Sequence, residues 1–183
     1  MQVLRSTWYS GDHFEALRIL REQFPEKHLV SSEACIEFSK YSVKDDLLNA
    51  HRYAHEILGD LNAGMETFLD WNLLLDERGG PNHAGNYCDA PYLFHEAEKR
   101  LETRALQAYI WHFSRFFRSG SVRIGISRYT DRLEAAACKT DTQIAVVLLN
   151  RAEQVIPVRL RLYSMCAETD VPPLSIVSCV ITV

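Results

Sequence analysis

Lys27-His28-Leu29-Val30-Ser31-Ser32-Glu33-Ala34-Cys35 decides how this chain folds. Its first six residues read as a short strand of a parallel sheet, and a carboxylate follows directly. Upstream, Phe14, Leu17, Leu20 and Phe24 fall on one side of a predicted helix, which Pro25 ends and Ser10 or Asp12 caps. Before it, residues 2–9 are strand-like and finish in two aromatics, Trp8 and Tyr9. Downstream, Leu47, His51, Ala54, Leu58 and Leu61 recur at helical spacing across residues 44–61, and Asn62-Ala63-Gly64 closes that helix. Residues 65–75 read as a third strand. Strand and helix in strict alternation imply parallel strands with crossover helices.

The rest of the chain divides at a change of period. Residues 76–91 form a long polar loop containing Gly79, Gly80, Pro81 and Gly85, a length usually reserved for function. Residues 96–117 read as one helix, charged first and aromatic later (Tyr109, Trp111, Phe113, Phe116, Phe117). After Ser119-Gly120, short strands are predicted at 122–126, 133–138, 144–149, 156–162 and 175–183. In the fourth of these, Val158, Leu160 and Leu162 alternate with Arg159, Arg161 and Tyr163, the pattern of a half-exposed strand. The expectation is α/β followed by all-β. Residues 1–117 would hold three parallel strands of a barrel-like layer, and residues 118–183 an antiparallel β-sandwich. Three parallel strands cannot close an eight-stranded barrel, which takes about 200 residues or more.

Composition removes several classes of function. The chain has 183 residues, 47% of them hydrophobic and 24% charged, which is material for a real core. A formal charge of -4 argues against nucleic acid as a partner, because phosphate binding needs a basic face. The apolar run at 144–149 is far too short to cross a bilayer, and residues 1–6 lack the apolar stretch of a signal peptide. Five cysteines (Cys35, Cys88, Cys138, Cys166, Cys179) are an odd number with no C-x-x-C pair. They read as reduced, mostly buried thiols of a cytoplasmic protein.

Glu33 is the candidate catalytic group: a carboxylate at a strand end, with the neighbouring strand ends at Tyr9 and Trp71. Aromatic rings beside a carboxylate suit sugars, whose C–H faces stack on rings. Competing signals are weaker. His51 and His55 share a helical face, but Arg52 stands where a metalloprotease pattern needs Glu, so no metal is expected. The glycines at 79, 80 and 85 lack the lysine of a phosphate loop. Asp12 reads as a cap, Asp89 as a turn residue before Pro91, and Asp70 alternates away from Trp71.

Taken together, these segments resemble the family-thirty glycoside hydrolases, whose familiar members are the glucosylceramidases. Ser32-Glu33-Ala34-Cys35 resembles their nucleophile segment. Leu69-Asp70-Trp71-Asn72, Gly79-Gly80-Pro81-Asn82 and Asn86 resemble the last barrel strand and its loop. His112-Phe113-Ser114-Arg115-Phe116 resembles the helix leading to the sandwich, and Ala145-Val146-Val147-Leu148-Leu149-Asn150-Arg151 one of its strands. The resemblance implies the C-terminal part of a (β/α)8 TIM barrel followed by a β-sandwich. It implies retaining hydrolysis of β-glucosides or related small-molecule β-glycosides without a cofactor. Glu33 would be the nucleophile, Tyr9 its hydrogen-bond donor, Trp71 a wall of the glucose subsite, Asn86 in the loop beside it and Trp8 nearby.

The departures are equally specific. The family's acid/base glutamate follows an asparagine on an earlier strand, and no Asn-Glu pair occurs in these residues. Thr7 stands where relatives carry histidine, Trp111 replaces a glycine, and residues 1–6 do not resemble the family's strand. The isolated chain is therefore expected to be a poor enzyme. The rival expectations are a non-catalytic remnant, a split enzyme whose partner chain supplies the missing strands, and a sandwich-only binding module.

Overall fold

A computed structural model describes every residue except Met1, Tyr9 and Ser10. It comprises two compact units, residues 1–110 and 111–183.

In the first unit, β1 (Val3–Thr7), α1 (Phe14–Gln23), β2 (His28–Ala34), α2 (Asp46–Ala63) and β3 (Thr67–Asp70) alternate as predicted. The strands form a parallel sheet in the order β1-β2-β3, so β2 is flanked on both sides. Leu29, Ala34 and Ile36 of and after β2, and Ala50, Tyr53, Ala54, Ile57 and Leu58 of α2, are almost fully buried. Each large apolar side chain among them contributes about 1.5–3 kcal/mol. Gly64 ends α2 in the left-handed conformation, φ 102°, where a Cβ is unfavourable. Within α2, Gly59 lets the helices approach: a Cβ there would lie 2.1 Å from the Phe14 ring of α1.

Several expectations are corrected. Asp12 does not cap α1. His13 occupies that position, while the Asp12 carboxylate accepts from Trp8 Nε1 (3.1 Å) and meets His55 Nε2 (2.9 Å). Ser10, the other predicted cap, lies outside the described residues. Leu47 belongs to no buried stripe, being 43% exposed, and the buried face of α2 instead includes Asn49, Glu56 and Asp60. The strand predicted over 65–75 is broken in two, because Trp71-Asn72-Leu73 leaves the parallel sheet. The chain resumes as β4 (Leu74–Asp76) in a second sheet with β5 (Tyr92–His95) and β6 (Arg100–Thr103), order β4-β5-β6. Residues 96–104 are therefore not helical. β5 and β6 pair antiparallel from Tyr92↔Thr103 to His95↔Arg100, around a turn in which Lys99 takes φ 51°. The helix begins only at α3 (Ala105–Phe116), where the Asp46 carboxylate of α2 accepts the Ala105 N–H at 2.9 Å.

Asp89 is a second correction of kind. It is fully buried, accepting from Asn49 Nδ2 (3.1 Å) and paired with Arg104 (3.2 Å). Arg104 also reaches Asp46 (3.5 Å) and Glu102 (3.0 Å). The predicted turn residue is thus part of a buried ionic cluster linking the 77–91 loop to α2 and β6.

The second unit carries β7 (Val122–Ile124), β8 (Leu133–Lys139), β9 (Gln143–Asn150), β10 (Ile156–Leu162), β11 (Met165–Val171) and β12 (Ser175–Thr182). A four-stranded antiparallel sheet, β12-β9-β8-β7, faces the β10-β11 hairpin. Leu133, Ala135, Ile144, Val146, Leu148, Ile156 and Val171 form the core between them, with Val158, Leu160 and Leu162 packed against it. The predicted alternation of β10 is observed. β11, absent from the sequence reading, is mostly exposed. Asn150, fully buried, ties the layers: its Nδ2 lies 2.8 Å from the carbonyls of Gln154 and Pro172 and 3.1 Å from that of Val171.

Candidate functional site

All three strands of the first sheet run the same way, so Trp8, Glu33 and Trp71 emerge along one edge. β2 holds Glu33 there through an irregularity. Ser6 pairs with Ser31 but Thr7 with Glu33, and across the other side Ser31 pairs with Phe68 but Ala34 with Asp70. One extra residue of β2 is thus inserted against both neighbours. Such a bulge re-aims the side chain at the strand end, a feature common beside active sites. Backbone carbonyls around the bulge find partners. Trp8 N–H donates to Glu33 O (3.4 Å), Trp71 N–H to Ala34 O (3.1 Å), and Ser32 Oγ to Ser6 O (3.3 Å).

Behind the edge, Tyr53 of α2 fixes the strand ends. Its hydroxyl lies 2.7 Å from Ala34 O and 2.7 Å from Asp70 Oδ1. The Trp8 ring packs edge-on against Tyr53 at 6.3 Å, and Phe68 does so from β3 at 5.8 Å. Burial pushes Asp70 up to about 6, against the hydrogen bond from Tyr53, and pushes the Tyr53 phenol well above its ordinary value. Tyr53 has one hydrogen for two oxygens, and a carbonyl has none to give. That hydrogen is therefore shared between Ala34 O and Asp70 Oδ1, which both accept from the one hydroxyl. Asp70 is turned to the helix side, as alternation predicts.

Glu33 is half-buried at the bulge. Trp71 is half-buried and packs on the cluster of Leu75, Cys88, Ala90 and Leu93, beside Cys35. Asn86 lies in the 77–91 loop, where the Asn82 side-chain amide donates to its backbone carbonyl. Among the described residues the side-chain oxygens of Asn82 and Asn86 are buried without a partner. Trp8 contributes its ring to Tyr53 and its indole N–H to Asp12. Tyr9, the expected donor to Glu33, lies outside the described residues. The structure thus gathers Glu33 and Trp8 at one edge, with Trp71 beside Cys35, the residue that follows the β2 end; Asn86 sits two residues from Cys88, in the same cluster as Trp71.

The loop is held to this edge by its backbone. Phe38 N–H donates to Tyr87 O (2.8 Å), Asp89 N–H to Ile36 O (2.8 Å), and Cys88 N–H to Gly79 O (3.0 Å). Gly79, φ 86°, is required there, since a Cβ would sit 2.4 Å from Cys88 O. Sequence reasoning missed this clamp, the Tyr53 hub and the Trp8–Asp12–His55 link. The Trp8–Asp12 spacing of four residues was the one local signal.

Two carboxylates are buried on α2. Glu56 and Asp60, four residues apart on α2, are 5% and 2% exposed. Burial raises Glu56 to about 9, helped by the charges of Asp60 and Asp12. Burial likewise raises Asp60 to about 6, partly offset by a hydrogen bond from Ser31. His51 rests against the Tyr109 ring at 5.3 Å, and His55 meets Asp12 and the Phe14 ring. Among the described residues no group of three His, Cys, Asp or Glu side chains is placed to hold a metal ion, and no helix is long and apolar enough to cross a membrane.

Comparison with known proteins matches this architecture. Residues 5–117 match the glycosyl hydrolase family 30 TIM-barrel domain, and residues 120–179 the glycosyl hydrolase family 30 beta sandwich domain. The chain is 31% identical over 142 residues to the lysosomal acid glucosylceramidase of Mus musculus, a match covering 75% of this chain and 28% of that protein. SrfJ from salmonella typhimurium superposes with a TM-score of 0.89 at 31% identity, over 97% of this chain and 40% of SrfJ. An endo-beta1,6-glucanase superposes with a TM-score of 0.81 at 26% identity, over 95% of this chain and 39% of the glucanase. The chain spans well under half the length of each of these proteins. With both family domains matched in order, and with the parallel layer and antiparallel sandwich both observed, the chain belongs to glycosyl hydrolase family 30.

Proposed function

We propose that this chain carries the nucleophile side of a retaining β-glycosidase of glucosylceramidase type, acting on β-glucosides or glucosylceramide-like substrates. The observation that supports it best is Glu33 on the bulged end of the central strand, beside Trp8 at an adjacent strand end. In retaining hydrolysis one carboxylate attacks the anomeric carbon while a second, about 5–5.5 Å away, protonates the leaving oxygen. Glu33 takes the first role, Trp71 walls the glucose subsite, and Asn86 lies in the loop beside it. Tyr9 is assigned the hydrogen bond that orients Glu33.

The second role has no occupant among the described residues. Asp70 is committed to Tyr53, Asp12 to Trp8 and His55, and the family's Asn-Glu pair does not occur. That favours a second reading alongside the first: the acid comes from residues beyond these 183, on a longer form of the polypeptide or on a partner chain that pairs with the sheet. Without it, about 10²–10⁴-fold of rate is lost on leaving groups that need a proton. A non-catalytic remnant is the outcome if no such residues are supplied. Five free thiols fit a reducing, cytoplasmic setting.

The deciding experiment is intact mass after incubation with a 2-fluoro β-glucoside bearing an activated leaving group, which departs without an acid. The reading expects one glycosyl adduct on Glu33, absent from Glu33→Gln. A folded, soluble chain that forms no adduct overturns it.

A further inference from the structure

Two thiols on different elements meet beside the candidate site. Cys35 Sγ and Cys88 Sγ are 3.3 Å apart, although 53 residues separate them in sequence. Their approach is imposed by backbone, because residues 36–38 and 87–89 are joined by the hydrogen bonds from Phe38 to Tyr87 and from Asp89 to Ile36, with Glu37 and Cys88 bridged. Cys88 is fully buried, whereas Cys35 is partly open to solvent, so a small oxidant can reach one sulfur of the pair. Both are thiols in this structure.

We propose that Cys35 and Cys88 form a reversible disulfide that staples the 77–91 loop to the end of β2. The oxidant class is a hydroperoxide. One thiolate attacks the peroxide oxygen, giving a sulfenic acid and releasing water once protonated. The second sulfur then displaces that hydroxyl as a second water. Overall two S–H groups and one H2O2 give one S–S bond and two H2O; each sulfur gives up one electron and the peroxide accepts both. A dithiol reductant reverses the step.

The chemistry also sets its pace. The sulfur contact lowers the Cys88 thiol, while Cys35 is held far above its usual range by that contact and by burial. The carboxylates of Glu37, Asp70 and Asp89 oppose a thiolate here. Oxidation is accordingly slow at neutral pH and faster as pH rises, unlike that of a peroxide-sensing cysteine in a basic pocket. The bond joins the position two residues after Glu33 to the position two residues after Asn86. Its consequence for a sugar site rests on the glycosidase reading; the bond itself does not.

The test treats the full chain with hydrogen peroxide, alkylates remaining thiols with N-ethylmaleimide, and maps peptides without reduction. The expected result is a crosslinked peptide joining Cys35 to Cys88, lighter by two hydrogens and released by dithiothreitol. Thermal midpoint should rise on the order of 5 °C, because a loop of this length is closed in the unfolded state. Backbone amides around Asn86–Cys88 should exchange several-fold more slowly in the oxidised form. Cys35 and Cys88 both recovered alkylated, from chain whose exposed Cys166 is oxidised, overturns the proposal. So does a bridge that leaves amide exchange of the loop unchanged. A Cys35–Cys88 bridge with no fluoroglucoside adduct in either redox state sustains the disulfide and overturns the glycosidase reading instead.

Discussion

Glu56→Gln should stabilise this protein at alkaline pH and leave it unchanged in acid. In the folded chain Glu56 keeps its proton up to about pH 9, whereas the unfolded chain releases it near 4.5. Between those values the unfolded state holds fewer protons, so stability falls as pH rises, by about 1.4 kcal/mol per unit. From pH 5.5 to 8.5 that is about 4 kcal/mol, and about half as much once relaxation and water penetration around the ionised carboxylate are allowed for. Asp60 titrates over a lower window, from 3.8 to about 6, so the alkaline limb belongs to Glu56. Glutamine keeps the shape and neutrality of the protonated acid but has no proton to release. Urea unfolding followed by tryptophan fluorescence should find the two proteins equal near pH 5. At pH 8.5 the variant's midpoint should lie about 1 M higher, taking about 2 kcal/mol per molar for the slope. Parallel pH profiles for wild type and variant would refute the reasoning, since they would mean that Glu56 ionises in the folded chain as freely as in the unfolded one.

Two other substitutions probe the parts that the sequence left hidden. Arg104→Ala strips the buried cation from Asp89, Asp46 and Glu102 and should cost about 3–5 kcal/mol by chemical denaturation, with Asp89→Asn in the same background recovering part of the loss. Asn150→Ala removes the amide shared by the Gln154, Val171 and Pro172 carbonyls and should cost about 2–4 kcal/mol, read as a lowered thermal midpoint with the β10–β12 amides exchanging fastest.

The parallel layer was legible because its strands and helices carry period and punctuation within a few residues: Pro25 after α1, Gly64 after α2, and a carboxylate near the end of β2. Where the reading failed, the deciding partner lay far along the chain. Glu96-Ala97-Glu98-Lys99-Arg100-Leu101 has the composition of a helix, yet Leu93 and Phe94 offer Glu102 and Leu101 a strand to pair with, and tertiary pairing overrides propensity. β11 escaped notice because Met165-Cys166-Ala167-Glu168-Thr169-Asp170 lies mostly on the surface and shows no apolar alternation. Asp89 looked like a turn residue since its partners, Asn49 and Arg104, are 40 and 15 residues away. The candidate edge was read from residue types at strand ends, whereas the bulge that aims Glu33 exists only in the register of β2 against both neighbours.

That register explains why a glutamate on β2 can serve as a positioned group in so small a sheet. An extra residue disrupts the ladder on both sides, and unpaired backbone would leave the strand end loose. Here the Glu33 and Ala34 carbonyls each accept an amide from an adjacent strand end, and the Ala34 carbonyl also accepts the Tyr53 hydroxyl. Tyr53 is in turn gripped by Asp70 and boxed by Trp8 and Phe68. Burial lifts Asp70 to about 6 while the hydrogen bond from Tyr53 opposes the rise, so the hydroxyl that holds the strand also holds this carboxyl. The loop is fastened separately, through residues 36–38. Two independent attachments therefore bracket Glu33, one from α2 and one from the 77–91 loop, and the Cys35–Cys88 contact lies in the second. A change of redox state there would alter the loop side of the edge while the helix side, set by Tyr53, keeps Glu33 where it is.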